Sequence, residues 1–89
     1  MPDNNILLTI VVNGTPAQVE ANLNAPLRTV IARALAQTQN TGRPPEDWEL
    51  RDAQGILLDI TKKVGEFNFP EGTTLFLNLT AGVAGVIRK

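Results

Sequence analysis

The sequence predicts a single α+β domain in which one helix packs on one face of a mixed β-sheet. Apolar residues alternate with polar ones towards both ends of the chain, which is typical of strands. A single segment between these strands repeats its apolar residues at helical spacing. The chain has 89 residues, a length that allows one small domain with one core.

The first two strands are predicted to form a hairpin. The segment from Ile6 to Val12 is rich in β-branched residues, and its even-numbered positions are assigned to the core. Asn13 and Gly14 follow, and both tolerate the positive φ that a two-residue hairpin turn requires. The next segment alternates small apolar and polar residues. Pro16 has no N–H to donate, so this second strand is placed at an edge of the sheet.

One helix follows Pro26, which suits a first helical turn because its missing N–H would have no partner there. The residues from Asn40 to Gly42 predict the end of the helix. Its apolar stripe is expected to face the core and comprises Leu27, Val30, Ile31, Ala34 and Leu35.

Three further strands complete a predicted five-stranded sheet: Trp48 to Arg51, Ile56 to Leu58, and Thr74 to Thr80. The first and last strands of the chain are the most apolar, so we expect them to be central and parallel to each other. Trp48 is assigned to the core. The irregular segment before the last strand is expected to close the open end of the core with Ile60, Val64, Phe67 and Phe69.

The predicted domain spans residues 6–80. Residues 1–5 are expected to form a flexible amino-terminal segment and residues 81–89 a flexible carboxyl-terminal tail.

The composition argues for a binding or carrier protein and against an enzyme. The chain has no Cys, no His and no Ser, so it lacks the commonest nucleophiles and general bases. A net charge of -1 disfavours nucleic acid as a partner. The longest nearly apolar stretch, residues 6–12, is far shorter than the ~20 residues of a membrane-spanning helix. We expect a cytoplasmic monomer without cofactor, metal or membrane attachment.

The order of elements resembles that of the β-grasp fold, and two segments resemble ubiquitin. Gly42-Arg43-Pro44-Pro45-Glu46-Asp47, with Leu50 beyond it, is similar to the Gly-x-Pro-Pro-Asp segment that follows the ubiquitin helix. The segment from Gly72 to Leu79 resembles the final ubiquitin strand. The resemblance covers about residues 6–85 and implies a ubiquitin-like fold.

The resemblance also assigns a role to the tail. Ubiquitin-like modifiers end in a glycine that a peptidase often exposes, and other proteins then activate and conjugate its carboxylate. By this resemblance, Gly85 is the conjugated residue, cleavage falls between Gly85 and Val86, and Gly82 is an alternative terminus. Glycine and small neighbours let the tail enter a narrow channel without Cβ clashes. These neighbours are Ala81, Val83 and Ala84.

The tail departs from ubiquitin because Ala84-Gly85 stands in place of the double glycine. Four residues after Gly85 argue against a sulfur carrier, since those proteins usually end at their glycines. The pattern is most similar to bacterial ubiquitin-like proteins of Bil-type (BilA-like) antiphage systems. This resemblance implies a target protein and three kinds of partner: activating-enzyme-like, conjugating-enzyme-like and JAB-type deubiquitinase-like proteins.

A second function remains open on the sequence: a non-conjugated β-grasp module that docks through its sheet. Its candidate partner-binding surface comprises Phe76, Asn78 and Arg51. Arg51 falls near the central isoleucine of the surface through which ubiquitin is commonly bound, and Asn78 replaces its valine. Lys62 and Lys63 are candidate acceptors for chain formation. A sulfur carrier is the third reading.

Overall fold

The computed structural model describes residues 4–80. It contains strands β1 (Asn5–Val12), β2 (Thr15–Asn22), β3 (Trp48–Arg51) and β4 (Thr74–Leu79), and one α-helix, α1 (Leu27–Gln37). Two short 3₁₀ helices span Pro45–Asp47 and Val64–Phe67. Strand β1 begins at Asn5, one residue earlier than predicted.

The four strands form one mixed sheet in the order β2-β1-β4-β3. Strands β1 and β4 are central and parallel, whereas β2 and β3 pair antiparallel at the two edges. The predicted α+β β-grasp architecture is therefore confirmed, including the parallel pairing of the first and last strands. Parallel central strands are expected to be the most apolar because a sheet buries its middle most completely.

The hairpin between β1 and β2 has the predicted turn. Asn13 and Gly14 take φ values of 50° and 88°, which only residues tolerant of the left-handed region adopt without strain. The register pairs Val12 with Thr15 and Val11 with Pro16. Pro16 lies in an edge strand, as its missing N–H requires.

The core lies between α1 and the inner face of the sheet. The whole predicted helical stripe is buried, as are Leu8, Ile10 and Val12 of β1. Leu75, Leu77 and Leu50 come from β4 and β3 and have no exposed surface. Trp48 is 5% exposed, which confirms its assignment to the core. The alternating inward positions of the strands thus meet one face of the helix.

The irregular segment after β3 closes the core and also caps α1. Leu27 N–H donates to the carbonyl of Lys62 (2.8 Å) and Arg28 N–H to that of Ile60 (2.9 Å). These bonds satisfy donors that a helix N-terminus leaves without internal partners. Val64 is fully buried, and Ile60 is half-buried against the core.

The two phenylalanines of this segment, Phe67 and Phe69, are less enclosed than the sequence predicts. They are half-buried and pack against the core, with their rings stacked at a centroid distance of 5.1 Å. Each ring therefore covers the other at the edge of the core.

Two sequence predictions are corrected by the structure. Residues 56–58 do not form a strand, so the described sheet has four strands and not five. Leu57 makes only an isolated bridge to Arg51. The Leu58 N–H still donates to the Leu50 carbonyl, but the next residue, Asp59, already forms a turn with Thr61. The helix ends at Gln37, before the predicted Asn40 to Gly42 stop, and Gln39 takes the left-handed conformation (φ 61°).

Candidate functional site

The carboxyl-terminal exit of the domain is held on both sides. Strand β4 pairs with β1 through Leu77 and with β3 through Leu79. Thr80 N–H then donates to the carbonyl of Asp47 (2.9 Å), and Asn13 N–H donates to that of Leu77 (3.1 Å). The last described residue, Thr80, is consequently fixed in position at the end of β4 that lies next to the β1–β2 turn.

The predicted tail lies outside the described residues. This applies to the conjugated residue Gly85, to the junction with Val86, and to the alternative terminus Gly82. It also applies to the small residues Ala81, Val83 and Ala84. Their roles remain predictions.

A cavity of about 260 Å³ lies beside the exit and is lined by amide side chains, an arginine and two core residues. Trp48 forms part of its wall, and the buried Nε1–H of Trp48 has no hydrogen-bond partner in the described part of the chain. The other lining residues are Asn13, Gln39, Asn40, Gly42, Arg43 and Leu79.

The structure brings the predicted partner-binding residues together on the outer face of the sheet, opposite α1. Phe76 is directly paired with Arg51, and Asn78 is paired with Glu49 one step further along the same strands. Phe76 is 38% exposed. The Arg51 guanidinium donates to the carbonyl of Gly55 (2.9 Å) and to Glu49 Oε1 (3.1 Å), so its charge is paired.

Leu57 also belongs to this surface. The sequence places Leu57 in a strand but does not assign it to the partner-binding surface. Its bridge to Arg51 places it beside Arg51, and it is 55% exposed. Asp52 Oδ1 accepts N–H bonds from Gln54 (2.9 Å) and Ile56 (3.0 Å) and so holds the turn that presents Leu57. The sequence does carry a signal for this turn, since Asp followed by Gly three residues later is typical of one.

The candidate acceptor lysines are exposed and lie at the start of α1. Lys63 forms an isolated bridge with Pro26, and the Lys62 carbonyl accepts the Leu27 N–H. Because β2 runs antiparallel to β1 and leads into α1, these lysines lie at the end of the body opposite the exit of β4.

Asp59, three residues before Lys62, is a carboxyl group whose pKa is lowered. The Thr61 hydroxyl donates to Asp59 Oδ1 (2.6 Å), and Thr61 N–H donates to the same oxygen (3.0 Å). These bonds, the hydroxyl first, lower the pKa of the Asp59 carboxyl from its ordinary value of 3.8, and the charge of Lys62 adds to the effect.

The acidic residues around Pro45 are each engaged by an arginine. Glu46 pairs with Arg28 at 3.1 Å, Asp47 with Arg43 at 3.8 Å, and Glu49 with Arg51 at 3.1 Å. Within residues 4–80, no three His, Cys, Asp or Glu side chains lie close enough together to hold a metal ion. In the same range, no helix has the length and apolar character needed to cross a membrane.

Comparison with known proteins gives a family and a fold. Residues 1–85 match the family model described as Protein of Unknown function (DUF2604). The uncharacterized protein y4jI of Sinorhizobium fredii (strain NBRC 101917 / NGR234) is 55% identical over 80 residues. That match covers 90% of this chain but only 62% of the relative, so the chain spans less than two thirds of that protein.

Solved structures similar to this chain are ubiquitin-like. Caldiarchaeum subterraneum ubiquitin superimposes with a TM-score of 0.69 at 22% identity, covering 85% of this chain and 94% of that one. A de novo designed protein based on ubiquitin superimposes with a TM-score of 0.74 at 21% identity, covering 90% and 94%. At this identity the likeness establishes the ubiquitin-like fold alone.

Proposed function

Since the chain belongs to the family described as Protein of Unknown function (DUF2604), and its body has the ubiquitin-like fold, we propose that it is a protein modifier. A peptidase cleaves between Gly85 and Val86, and the exposed Gly85 carboxylate is activated and joined to an amine of a target protein. The modifier acts in the bacterial cytoplasm with the activating-enzyme-like, conjugating-enzyme-like and JAB-type proteins of a Bil-type antiphage system.

The observation that carries this proposal is the geometry of the exit. The last strand is central, paired on both sides, and followed at once by the Thr80–Asp47 hydrogen bond. A partner that pulls on the residues after Thr80 therefore pulls against the middle of the sheet. Such an anchor suits a chain whose carboxyl end is handled by other proteins.

In this chemistry the chain supplies only the reacting carboxylate. A nucleoside triphosphate adenylates the Gly85 carboxylate with loss of pyrophosphate. A partner thiol displaces AMP to form a thioester, and the target amine displaces the thiol. The chain has no Cys and no His, so the thiol and the proton-transfer groups come from the partners. Glycine at the reacting end removes the Cβ that would obstruct these attacks.

The comparisons support the proposal in three ways. The fold neighbours are ubiquitin-like, which fits a modifier. The family match extends through residue 85, so the tail up to the proposed junction belongs to the matched region. The bacterial source of the relative y4jI fits a bacterial conjugation system.

Processing is tested by incubating the full chain with a JAB-type peptidase of a Bil-type system, followed by intact-mass spectrometry. We expect loss of Val86-Ile87-Arg88-Lys89 and nothing else. The Gly85→Ala variant should resist cleavage and form no conjugates in cells that also express the activating-enzyme-like and conjugating-enzyme-like proteins of that system. Gly42→Ala is the control, because it changes a glycine of the body whose added Cβ would meet nothing within 4 Å, and it should be processed normally.

Four results would contradict the proposal. An intact chain after incubation, or conjugates that persist in Gly85→Ala cells, would exclude Gly85 as the reacting residue. Cleavage after Gly82 would move the terminus there. A trimmed chain that carries a thiocarboxylate and forms no isopeptide bond would identify a sulfur carrier. For the antiphage role, loss of phage protection in the Gly85→Ala strain is the expected result.

A further inference from the structure

The cavity of about 260 Å³ at the end of β4 has a buried tryptophan in its wall. Trp48 is 5% exposed, and its buried Nε1–H has no acceptor among residues 4–80. A buried N–H without an acceptor destabilises a fold, so such a group in a native protein usually meets a water, an ion or a ligand. At ~30 Å³ for one water molecule in the liquid, the cavity has room for a small ligand as well as for water.

Arg43 supplies a second donor group to the same cavity. Its side chain is exposed, and its nearest carboxylate, that of Asp47, lies 3.8 Å away. A charge-assisted hydrogen bond between nitrogen and oxygen is shorter, about 2.7–2.9 Å. The N–H groups of Arg43 are therefore not used up by Asp47 and are available to a ligand.

Two exposed amides complete the set of donors. Asn13 belongs to the β1–β2 turn, and Gln39 follows α1 in the left-handed conformation. Both line the cavity, and a side-chain amide can turn its NH₂ group towards an acceptor. Asn40 is not counted with them, because its NH₂ group already donates to Thr38 Oγ1 (2.8 Å). Donors from four separate segments thus converge on one cavity, as is typical of a binding site.

The charge of the lining favours an anion with a single charge. Arg43 is the one charged residue among the described residues that line the cavity. Its planar guanidinium matches the geometry of a carboxylate. A phosphate dianion would bring a second negative charge without a cation to meet it, and Asp47 near Arg43 would repel it further.

Apolar surface lies next to these donors. The Trp48 ring and Leu79 belong to the lining of the same cavity. A larger cavity of about 460 Å³ shares Arg43 with it. The other lining residues of that larger cavity are mostly apolar: Ala32, Leu35, Thr41, Gly42, Pro44 and Pro45. A ligand held at Arg43 therefore finds room for an apolar group beside its charge.

We propose that the cavity beside Trp48 binds a small organic monocarboxylate. The carboxylate accepts hydrogen bonds from Arg43 and from the Nε1–H of Trp48, and the apolar part of the ligand packs against Leu79 and the Trp48 ring. Because Nε1 is buried in the free chain, entry of the carboxylate requires a shift of exposed lining side chains such as Gln39.

This binding goes beyond conjugation and uses no residue after Thr80. Its failure would therefore leave the modifier proposal standing, and failure of processing would leave this one standing. The ligand would lie next to the last described residue of the body, since Leu79 lines the cavity.

The test uses the full chain and two probes, hexanoate and its neutral counterpart hexanamide, at neutral pH and constant ionic strength. Trp48 is the one tryptophan of the chain, so its indole N–H gives a single signal in a ¹H–¹⁵N NMR spectrum. Hexanoate should shift this signal saturably as the N–H gains an acceptor. Hexanamide should bind at least about tenfold more weakly, a difference of about 1.4 kcal/mol.

Variants locate the site. Arg43→Gln should weaken hexanoate binding about tenfold and leave the affinity for hexanamide unchanged, because only the charge-assisted bond is lost. Arg28→Gln is the matched control: it also removes an exposed arginine, but Arg28 pairs with Glu46 away from this cavity, so hexanoate should bind as it does to the natural chain. Trp48→Phe keeps a ring but removes the donor and should weaken hexanoate, followed at the Leu79 backbone amide. Circular dichroism checks that each variant is folded.

Several outcomes would overturn the proposal. The first is no saturable shift of the Trp48 indole signal with hexanoate, and the second is equal affinity for hexanoate and hexanamide. Binding that Arg43→Gln leaves unchanged would place the carboxylate elsewhere. Inorganic phosphate that binds as tightly as hexanoate would identify a general anion site and overturn the assignment to a monocarboxylate.

Discussion

The carboxylate of Glu71 takes the place of a strand partner for Leu7. Leu7 N–H donates to Glu71 Oε2 (2.8 Å), and the Leu7 carbonyl accepts the N–H of Gly72 (2.7 Å). The β1–β4 ladder begins only at Thr9 and Thr74. A side chain thus extends the central pairing of the sheet by one step, at the point where the loop enters the last strand.

Replacing Glu71 should weaken the domain. Glu71→Ala removes the acceptor of the Leu7 N–H, and we expect the free energy of unfolding to fall by about 1 kcal/mol. Glu71→Gln keeps a carbonyl acceptor and should recover much of this loss. Chemical denaturation measures both. Glu46→Ala, which removes only an exposed ion pair with Arg28, should cost less. Equal losses in Glu71→Ala and Glu46→Ala would argue against the structural role of Glu71.

Gly65 should tolerate no side chain. A Cβ at this position would lie 3.0 Å from the Leu23 carbonyl oxygen and 3.4 Å from the Leu23 Cβ. Gly65→Ala is therefore expected to lower the free energy of unfolding by about 1–3 kcal/mol. Gly42→Ala is the matched control, since nothing lies within 4 Å of the added Cβ and the backbone is not left-handed. It should be neutral or stabilise by up to about 1 kcal/mol. Similar thermal denaturation curves for the two variants would contradict the close packing.

Arg33 and Gln37 should keep the β2 edge from pairing with other chains. In the double variant Arg33→Ala/Gln37→Ala, the carbonyls of Glu20 and Gln18 lose their side-chain donors. We expect increased self-association with concentration, because an open sheet edge is a template for pairing. Sedimentation velocity measures it. Arg28→Ala is the control. Arg28 lies in the same helix but pairs with Glu46, so this variant should self-associate no more than the natural chain. If the double variant also self-associates no more than the natural chain, Arg33 and Gln37 do not protect the β2 edge.

Asp59 should titrate below its ordinary value of 3.8 in an NMR pH titration of its carboxyl group. Because the pKa of Asp59 is lower in the folded state than in the unfolded state, the ionised carboxylate stabilises the fold at pH values above the unfolded-state pKa. That contribution is lost as the pH falls through the lowered pKa. Thr61→Val removes the hydroxyl donor and should raise the pKa towards 3.8.

Thr73→Val is the control for the Asp59 titration. It removes a hydroxyl bond of the same length, 2.6 Å, to the carbonyl of Pro70 and should leave the Asp59 pKa unchanged. A titration of Asp59 that is the same in the natural chain and in Thr61→Val would show that the hydroxyl is not the main cause.

Local patterns predicted most of the secondary structure because each reports on one element. Alternation in β1, the Asn13-Gly14 turn and the stripe of α1 depend on neighbours in the chain. The same patterns failed at Leu57. Three apolar residues in a row are typical of a strand, but this segment makes one bridge to Arg51 and then turns at Asp59. Whether a short apolar run becomes a strand depends on a partner distant in sequence.

The surface also required the structure. Strand alternation places Phe76 on the outer face, and the resemblance to ubiquitin assigns Arg51 to the same surface; the register pairs the two residues. Val11 is expected beside Phe76 from strand alternation, and the register pairs the two, whereas Leu57 joins this face only through its bridge to Arg51. The sequence also gave no sign that Glu71 would bond to Leu7, because this contact joins residues far apart in the chain.

Residue types and their spacing along the chain are enough to predict the class of fold, the hairpin and the helix with its buried face. Each of these follows from residue type and spacing along the chain. The tertiary structure was needed for the register of the strands, for the edge atoms that side chains cover, and for the position of Leu57 beside Arg51 on the outer face of the sheet. The physical reason is that these features arise from contacts across the sheet, whose register is set by how all the apolar faces pack at once.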